Sequence, residues 1–246
     1  MLKRVLSVLA LVASTSVFAA AGHDVHLDKA PVNLKDTESL QRGMRLYQNY
    51  CLGCHQMEYN RYSRTFRDLQ IPDEVGMKNL AFGANKVGDY IKNGAPKLDQ
   101  ATWFGAAPPD LTNVTRVRGS DWVYTYLRSF YVDPSRPFGV NNVVFPLVGM
   151  PHVLQELQGI PTLEHTTTTD ADGNQHQKTV IVTDGSGEMS TDEYDRAVGD
   201  LVNYLTYAGQ PSKLESQSLG IKVMIFLFIF FIFAFLLKKE YWKDVH

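Results

Sequence analysis

Cys51 and Cys54 are the only cysteines in a chain of 246 residues, and His55 follows the second directly. Three chemistries use the spacing C-x-x-C. A structural zinc site needs four ligands, from a second cysteine pair or from spaced histidines. The chain has no second pair. His23, His26, His152, His165, His176 and His246 show no H-x(3–5)-H spacing, and the nearest to it, His23 and His26, precede the motif. A redox dithiol of the thioredoxin type calls for a strand before the motif and a helix after it, whereas the residues before Cys51 read as a helix. The third chemistry is covalent haem attachment, whose signature is C-x-x-C-H. Two thiols add to two vinyl groups of one macrocycle, and the adjacent histidine reaches the iron from one face. The motif therefore points to haem c with His55 as proximal iron ligand.

Elements on both sides must hold such a motif. Before it, DTESLQRGMRLYQNYC sets Leu40, Gly43, Met44, Tyr47 and Cys51 on one helical stripe, with Asp36 or Thr37 as N-cap. Late in the chain, Ser190 and Glu193 stand at capping-box spacing. Tyr194, Ala197, Val198, Leu201, Val202, Leu205 and Ala208 follow at helical spacing, and Gly209 and Pro211 close the run. Two such helices around a haem segment suggest one crossing pair, with Gly43 permitting close approach; two unrelated surface helices are the plainer alternative. Between them the pattern predicts a helix near Asp121–Tyr131, a short helix near Lys86–Asn93, and long loops. Residues 163–188 are polar and rich in threonine. They contain one strand-like run, Lys178 to Thr183, with turn signals at Asp172-Gly173 and Asp184-Gly185. This stretch reads as an exposed hairpin or excursion without chemistry.

The termini set the compartment. Lys3 and Arg4 precede an apolar run from Val5 to Ala13, and Ala19 and Ala21 form an A-x-A-like site. Residues 1–21 thus read as a secretory signal peptide, with an uncleaved anchor as the alternative. Val223 to Leu237 are 15 apolar residues without a charge. Extended back to Leu219, the segment 219–237 spans roughly 28 Å, enough for one transmembrane helix, with Lys222 able to snorkel. Lys238, Lys239 and Lys243 follow, with Tyr241 and Trp242 among them. By the positive-inside rule the tail 238–246 is cytoplasmic. Residues 22–215 then form one exported domain of about 190 residues, large enough for a core. Formal charge over the whole chain is −2. Without the basic leader and the basic tail the domain is more acidic still, which argues against nucleic acid as a partner and permits an acidic docking face.

The opposite face of the iron takes methionine, histidine or nothing. Met77, Met150 and Met189 are the methionines left after excluding those at the start, in the first helix, beside His55 and in the membrane span. Met150 lies between Pro146 and Pro151, which can stiffen a loop. Met189 precedes the Ser190 cap, where a hydrophobic staple is its plain role. His152 would give a bis-histidine iron of lower potential. Position alone leaves these open.

The stretch CLGCHQMEYNRYSR resembles the haem-binding segment of the cytochrome c1 family. APPDLTNVTRVRGSDWVYTYLRSFY resembles that family's P-P-D-L segment with its R-x-R pair, and GMPHVL its methionine segment. A helix such as YDRAVGDLVNYLTYAGQP before one C-terminal span completes a likeness that covers nearly the whole mature chain. The resemblance implies a mainly α, cytochrome c-like haem domain with long loops and a single C-terminal transmembrane helix. It implies that Met150 is the distal ligand and that Arg118 and Arg116 face a haem propionate. It also implies that Pro108, Pro109, Asp110 and Leu111 form a loop packed on the haem. The implied role is an electron-transfer subunit of a bacterial ubiquinol–cytochrome c reductase, in the inner membrane with its haem domain in the periplasm. Its expected partners are cytochrome b, a Rieske iron–sulfur protein and a c-type cytochrome acceptor, within a dimeric complex. A stand-alone anchored carrier or oxidase subunit, and a sensor or enzyme with an open iron site, are the alternatives. The chain departs from the mitochondrial pattern in a shorter stretch between His55 and Pro108, a shorter turn after Arg118, and the threonine-rich excursion.

Overall fold

The computed structural model describes residues 25–169 and 175–243. The expected signal peptide and the Asp172-Gly173 turn lie outside the described residues. Helix α1 (Thr37–Leu46) is capped by Asp36, whose carboxylate accepts from the Ser39 amide at 3.0 Å. It runs into a π-helical turn, Tyr47–Cys51. In chain order there follow β1 (Met57–Arg61), α2 (Tyr62–Asp68), α3 (Asp73–Asn79), β2 (Tyr90–Ile91), α4 (Lys97–Phe104), α5 (Val114–Arg118), α6 (Ser120–Arg128), β3 (Phe130–Val132), β4 (Val140–Asn142) and α7 (Gln155–Gln158). The chain ends with β5 (Pro161–Thr169), β6 (Gln175–Thr183), α8 (Thr191–Gly209) and α9 (Lys213–Tyr241). The strands form three separate antiparallel pairs. The fold is therefore mainly α, with small hairpins set into its loops.

The core forms where α1 meets α8. Met44, Tyr47, Val198, Leu201, Val202 and Tyr204 are all buried there. Gly43 sets the closeness of the crossing: a Cβ at this position would overlap the Asp200 carbonyl oxygen and stand 2.8 Å from Tyr204 Cβ. The neighbour is backbone, so it has no rotamer to yield. Gly43→Ala should therefore act as an overpacking change and cost about 3 kcal/mol. In a domain of this size that is a fall in melting temperature of ~6–12 °C, measured by thermal unfolding of the chain. An unchanged melting temperature would show that the crossing is looser than drawn. Buried Asn203 ties in the N-terminal segment, donating to Asn33 O (2.9 Å) and Ser39 Oγ (3.0 Å) and accepting from Asn33 N (3.0 Å). The Ser190–Glu193 capping box starts α8, the Ser190 amide donating to Glu193 Oε2 at 3.0 Å.

Two sequence expectations need correction. Lys86–Asn93 is not a helix. Asp89 Oδ2 accepts from the Asn85 and Lys86 amides (2.9 and 3.1 Å), which makes a tight turn, and Tyr90–Ile91 pair with β1. A local side chain-to-backbone bond has outcompeted the helix. The helix expected to reach Tyr131 stops at Arg128, because Phe130–Val132 pair with Val140–Asn142. The threonine-rich stretch does form a hairpin, paired from Pro161↔Thr183 to Thr169↔Gln175.

Helix α9 has 29 residues, about 43 Å at 1.5 Å per residue. It contains the expected span 219–237 and extends past it at both ends. Its best window has a mean hydropathy of 2.8 and none of it is buried against the rest of the chain. Such an apolar surface requires lipid or other apolar helices around it.

Candidate haem site

The π-helical turn delivers Cys51 to the end of α1, and the chain then reverses. The Cys51 carbonyl accepts from the amides of Cys54 (3.1 Å) and His55 (2.8 Å). This single turn brings both cysteines and the histidine to one place. Three side chains fix it from outside. Tyr47 Oη donates to His55 O at 2.8 Å, and the Asn93 and Gln100 amides donate to Cys54 O at 2.8 and 3.3 Å. No disulfide joins the two cysteines. Burial pushes the Cys51 thiol up to about 12, and the neighbouring Cys54 adds to the shift. Among the described residues no group of three or more His, Cys, Asp or Glu is arranged to hold a metal ion, so the zinc reading gains no ligands.

His55 Nδ1 lies 2.7 Å from the Pro109 carbonyl oxygen. A carbonyl only accepts, so Nδ1 carries the proton and Nε2 presents its lone pair. This bond fixes tautomer and ring direction, which a histidine needs if it is to ligate a metal. Burial lowers the His55 pKa, against smaller opposing effects from the Pro109 bond and Asp110, and so favours the neutral ring. Two cysteines three residues apart, followed by an imidazole oriented by the Pro109 carbonyl, fit the haem c attachment group.

The P-P-D-L loop is tied to the residues that follow the motif. Asp110 accepts from the Glu58 amide through Oδ2 and from the Thr112 amide through Oδ1, both at 2.8 Å. The Leu111 amide donates to Gln56 O at 2.9 Å. Asp110 thereby holds the Pro109 carbonyl against His55. The sequence reading placed Asp110 in the loop without this role; the Asp-x-Thr turn pattern was its available signal.

Met150 packs against a small cluster of Phe130, Val140 and Val148. Its loop is held by three polar side chains. Asn141 Oδ1 accepts from the Leu147 amide (2.8 Å), and Asn142 Oδ1 accepts from those of Val144 (2.9 Å) and Phe145 (3.0 Å). Arg136 donates to Leu147 O at 2.9 Å. Leu147 has a φ of 63°, a strained value for a bulky residue that persists only where the surroundings enforce it. Tyr126 Oη donates to Met150 Sδ at 3.4 Å. Burial raises the Tyr126 pKa, which keeps the hydroxyl a donor.

Met189 and Met77 pack against the main core, and the Met189 amide donates to Leu157 O. His152 is buried, stacked on Phe130 at 4.9 Å, with Nε2 2.6 Å from Gln158 Oε1. Burial lowers its pKa to about 4. Arg118 lies over Trp122 (5.1 Å) and Phe145 (5.9 Å), at the end of α5 and beside the Met150 loop. Arg116 turns elsewhere. It approaches Gly209 O at 3.5 Å and lines a cavity of about 500 Å³ with Pro211 and Lys213, where α8 hands over to α9. The two arginines thus sit in different surroundings, and only Arg118 adjoins the aromatic cluster around Met150.

The model of the family described as Cytochrome C1 matches residues 28–245. Among curated proteins, cytochrome c1 of Allochromatium vinosum is 49% identical over 247 aligned residues that cover all of both chains. A Nitrosomonas europaea protein named ammonia monooxygenase gamma subunit is 42% identical and covers 97% of each chain. Cytochrome c1 of Rhodospirillum rubrum is 26% identical, over 85% of this chain and 83% of its own.

Proposed function

The chain belongs to the cytochrome c1 family, and we propose that Cys51, Cys54, His55 and Met150 hold its haem while Arg118 pairs with a propionate. A cytochrome c1 carries one covalently bound haem c and is the membrane-anchored electron-transfer subunit of a ubiquinol–cytochrome c reductase. The haem iron supplies a one-electron couple. Everything else is positioning by the chain. Cys51 and Cys54 would each hold the haem through one vinyl group, the sulfur bonded to carbon and the thiol hydrogen on the neighbouring carbon, with no change in oxidation level. Pro109 O holds the His55 ring so that Nε2 can ligate. The thioether of Met150 favours the ferrous state and a high potential. The Arg118 guanidinium, planar and always charged, suits a carboxylate. No general base is required of this chain, because no proton moves in its step. The single observation carrying the residue assignment is the 2.7 Å bond from His55 to Pro109 O.

In this reading the chain takes an electron from a Rieske iron–sulfur protein and passes it to a c-type cytochrome, with cytochrome b beside α9. The haem domain faces the periplasm and the lysine-bearing tail the cytoplasm. The test is purification of the tagged chain from mildly solubilised membranes. A b-type haem spectrum and a Rieske resonance should co-purify with it, and protease added outside spheroplasts should cleave the haem domain but spare the tail. Recovery of the haem-stained chain alone would favour a stand-alone carrier. Recovery with a monooxygenase instead would move it to the kind of assembly named for the Nitrosomonas relative.

A further inference from the structure

We propose that Tyr126 is a positioning residue for the distal ligand, its hydroxyl donating to one lone pair of the Met150 sulfur and leaving the other for iron. The inference rests on the reading of Met150 as that ligand. A thioether sulfur has two lone pairs, and Tyr126 Oη, 3.4 Å from Met150 Sδ, can occupy only one. Tyr126 is itself held on every side. Its ring stacks on Trp122 at 5.0 Å with 9° between planes, and meets Phe130 edge-on at 5.1 Å. Its backbone carbonyl accepts from Asn142 Nδ2 at 2.7 Å. Asn142 also organises the Met150 loop through the Val144 and Phe145 amides. One helix position thus fixes both the loop and the sulfur at its tip.

A hydrogen bond to the sulfur draws electron density from it and makes it a weaker donor. A weaker donor penalises ferric iron more than ferrous iron, so the bond raises the potential. It also selects one orientation of a flexible side chain, which methionine does not supply by itself. Packing alone would make the phenol a spacer, with no effect on the iron's redox equilibrium.

Tyr126→Phe in the full membrane-bound chain removes only the hydroxyl. The haem should stay attached and the weak thioether-to-iron band of the ferric spectrum should remain. The midpoint potential should fall by up to a tenfold change in the oxidation equilibrium, about 59 mV for one electron. Tyr124→Phe is the control, because the Tyr124 hydroxyl donates to Asp195 O at 3.4 Å instead; its potential should not move. In a Met150→Leu background, Tyr126→Phe should have no further effect on potential, since coupled residues are non-additive. An unchanged potential in Tyr126→Phe with the band intact would overturn the proposal. Persistence of the band in Met150→Leu would instead overturn the ligand reading beneath it.

Discussion

Met150→Leu should leave the haem covalently attached while its midpoint potential falls by a few hundred millivolts, out of the ~0.8 V that axial ligands span. Three consequences follow from the loss of one sulfur. The thioether-to-iron band should vanish, because its donor is gone. Leucine cannot ligate, so reduced haem should bind carbon monoxide. The ferric state, no longer disfavoured by a soft ligand, should dominate. Each 59 mV is a factor of ten for one electron, so a drop of this size would stop electron acceptance from a high-potential Rieske centre. Leucine nearly matches methionine in volume, which keeps the cost to folding small. Met189→Leu is the control: Met189 packs against the main core and precedes the α8 cap, so spectrum and potential should hold. Redox titration of isolated membranes reads both variants. Loss of the band in Met189→Leu but not in Met150→Leu would reassign the ligand.

The structure separates what was legible in the residues from what was not. The α1 stripe and the Ser190–Glu193 box were legible because local chemistry dictates them: an apolar face every third or fourth residue, and a cap with its partner at a fixed offset. Gly43 was legible as a crossing point because a missing side chain inside an apolar stripe has few other uses. The apolar run inside α9 needed only length and composition. Lys86–Asn93 was misread because Asp89 turns the chain back through its own carboxylate, and helical periodicity over eight residues carries no information about that competition. The end of α6 was misread for a long-range reason. Phe130, Tyr131 and Val132 are strand-favouring types, but their strand forms only because Val140–Asn142 returns to pair with them. Asp110, Asn141 and Asn142 act through backbone amides that only the folded loops bring near. The C-x-x-C-H motif stands out by its spacing alone, whereas Met150 is one of several methionines in the sequence, and its bond from Tyr126 exists only in the folded loop.

Cys54→Ser should all but abolish covalent haem in the chain and lower the amount of chain in the membrane by about tenfold or more. Serine keeps the shape and the backbone bonds. Cys54 O would still accept from Asn93 and Gln100, and His55 would still be oriented by Pro109. What disappears is a sulfur able to add to a vinyl group; a hydroxyl is a far weaker nucleophile and does not form the thioether. The consequence reaches the fold because Cys51, at the start of the motif, and Met57, just after it, are buried, and the macrocycle would supply apolar surface to the residues around it. Losing a large apolar cofactor from a domain whose net stability is only about 5–15 kcal/mol leaves most of the chain unfolded. Unfolded chain in a bacterial envelope is degraded, so abundance falls with haem content. Haem stain and an immunoblot of the C-terminal tag on one denaturing gel measure both quantities. Normal amounts of chain without stain would show that the fold does not depend on haem. Stain equal to wild type, or release of all haem by acid-acetone from the unmodified chain, would remove Cys54 from the attachment chemistry altogether.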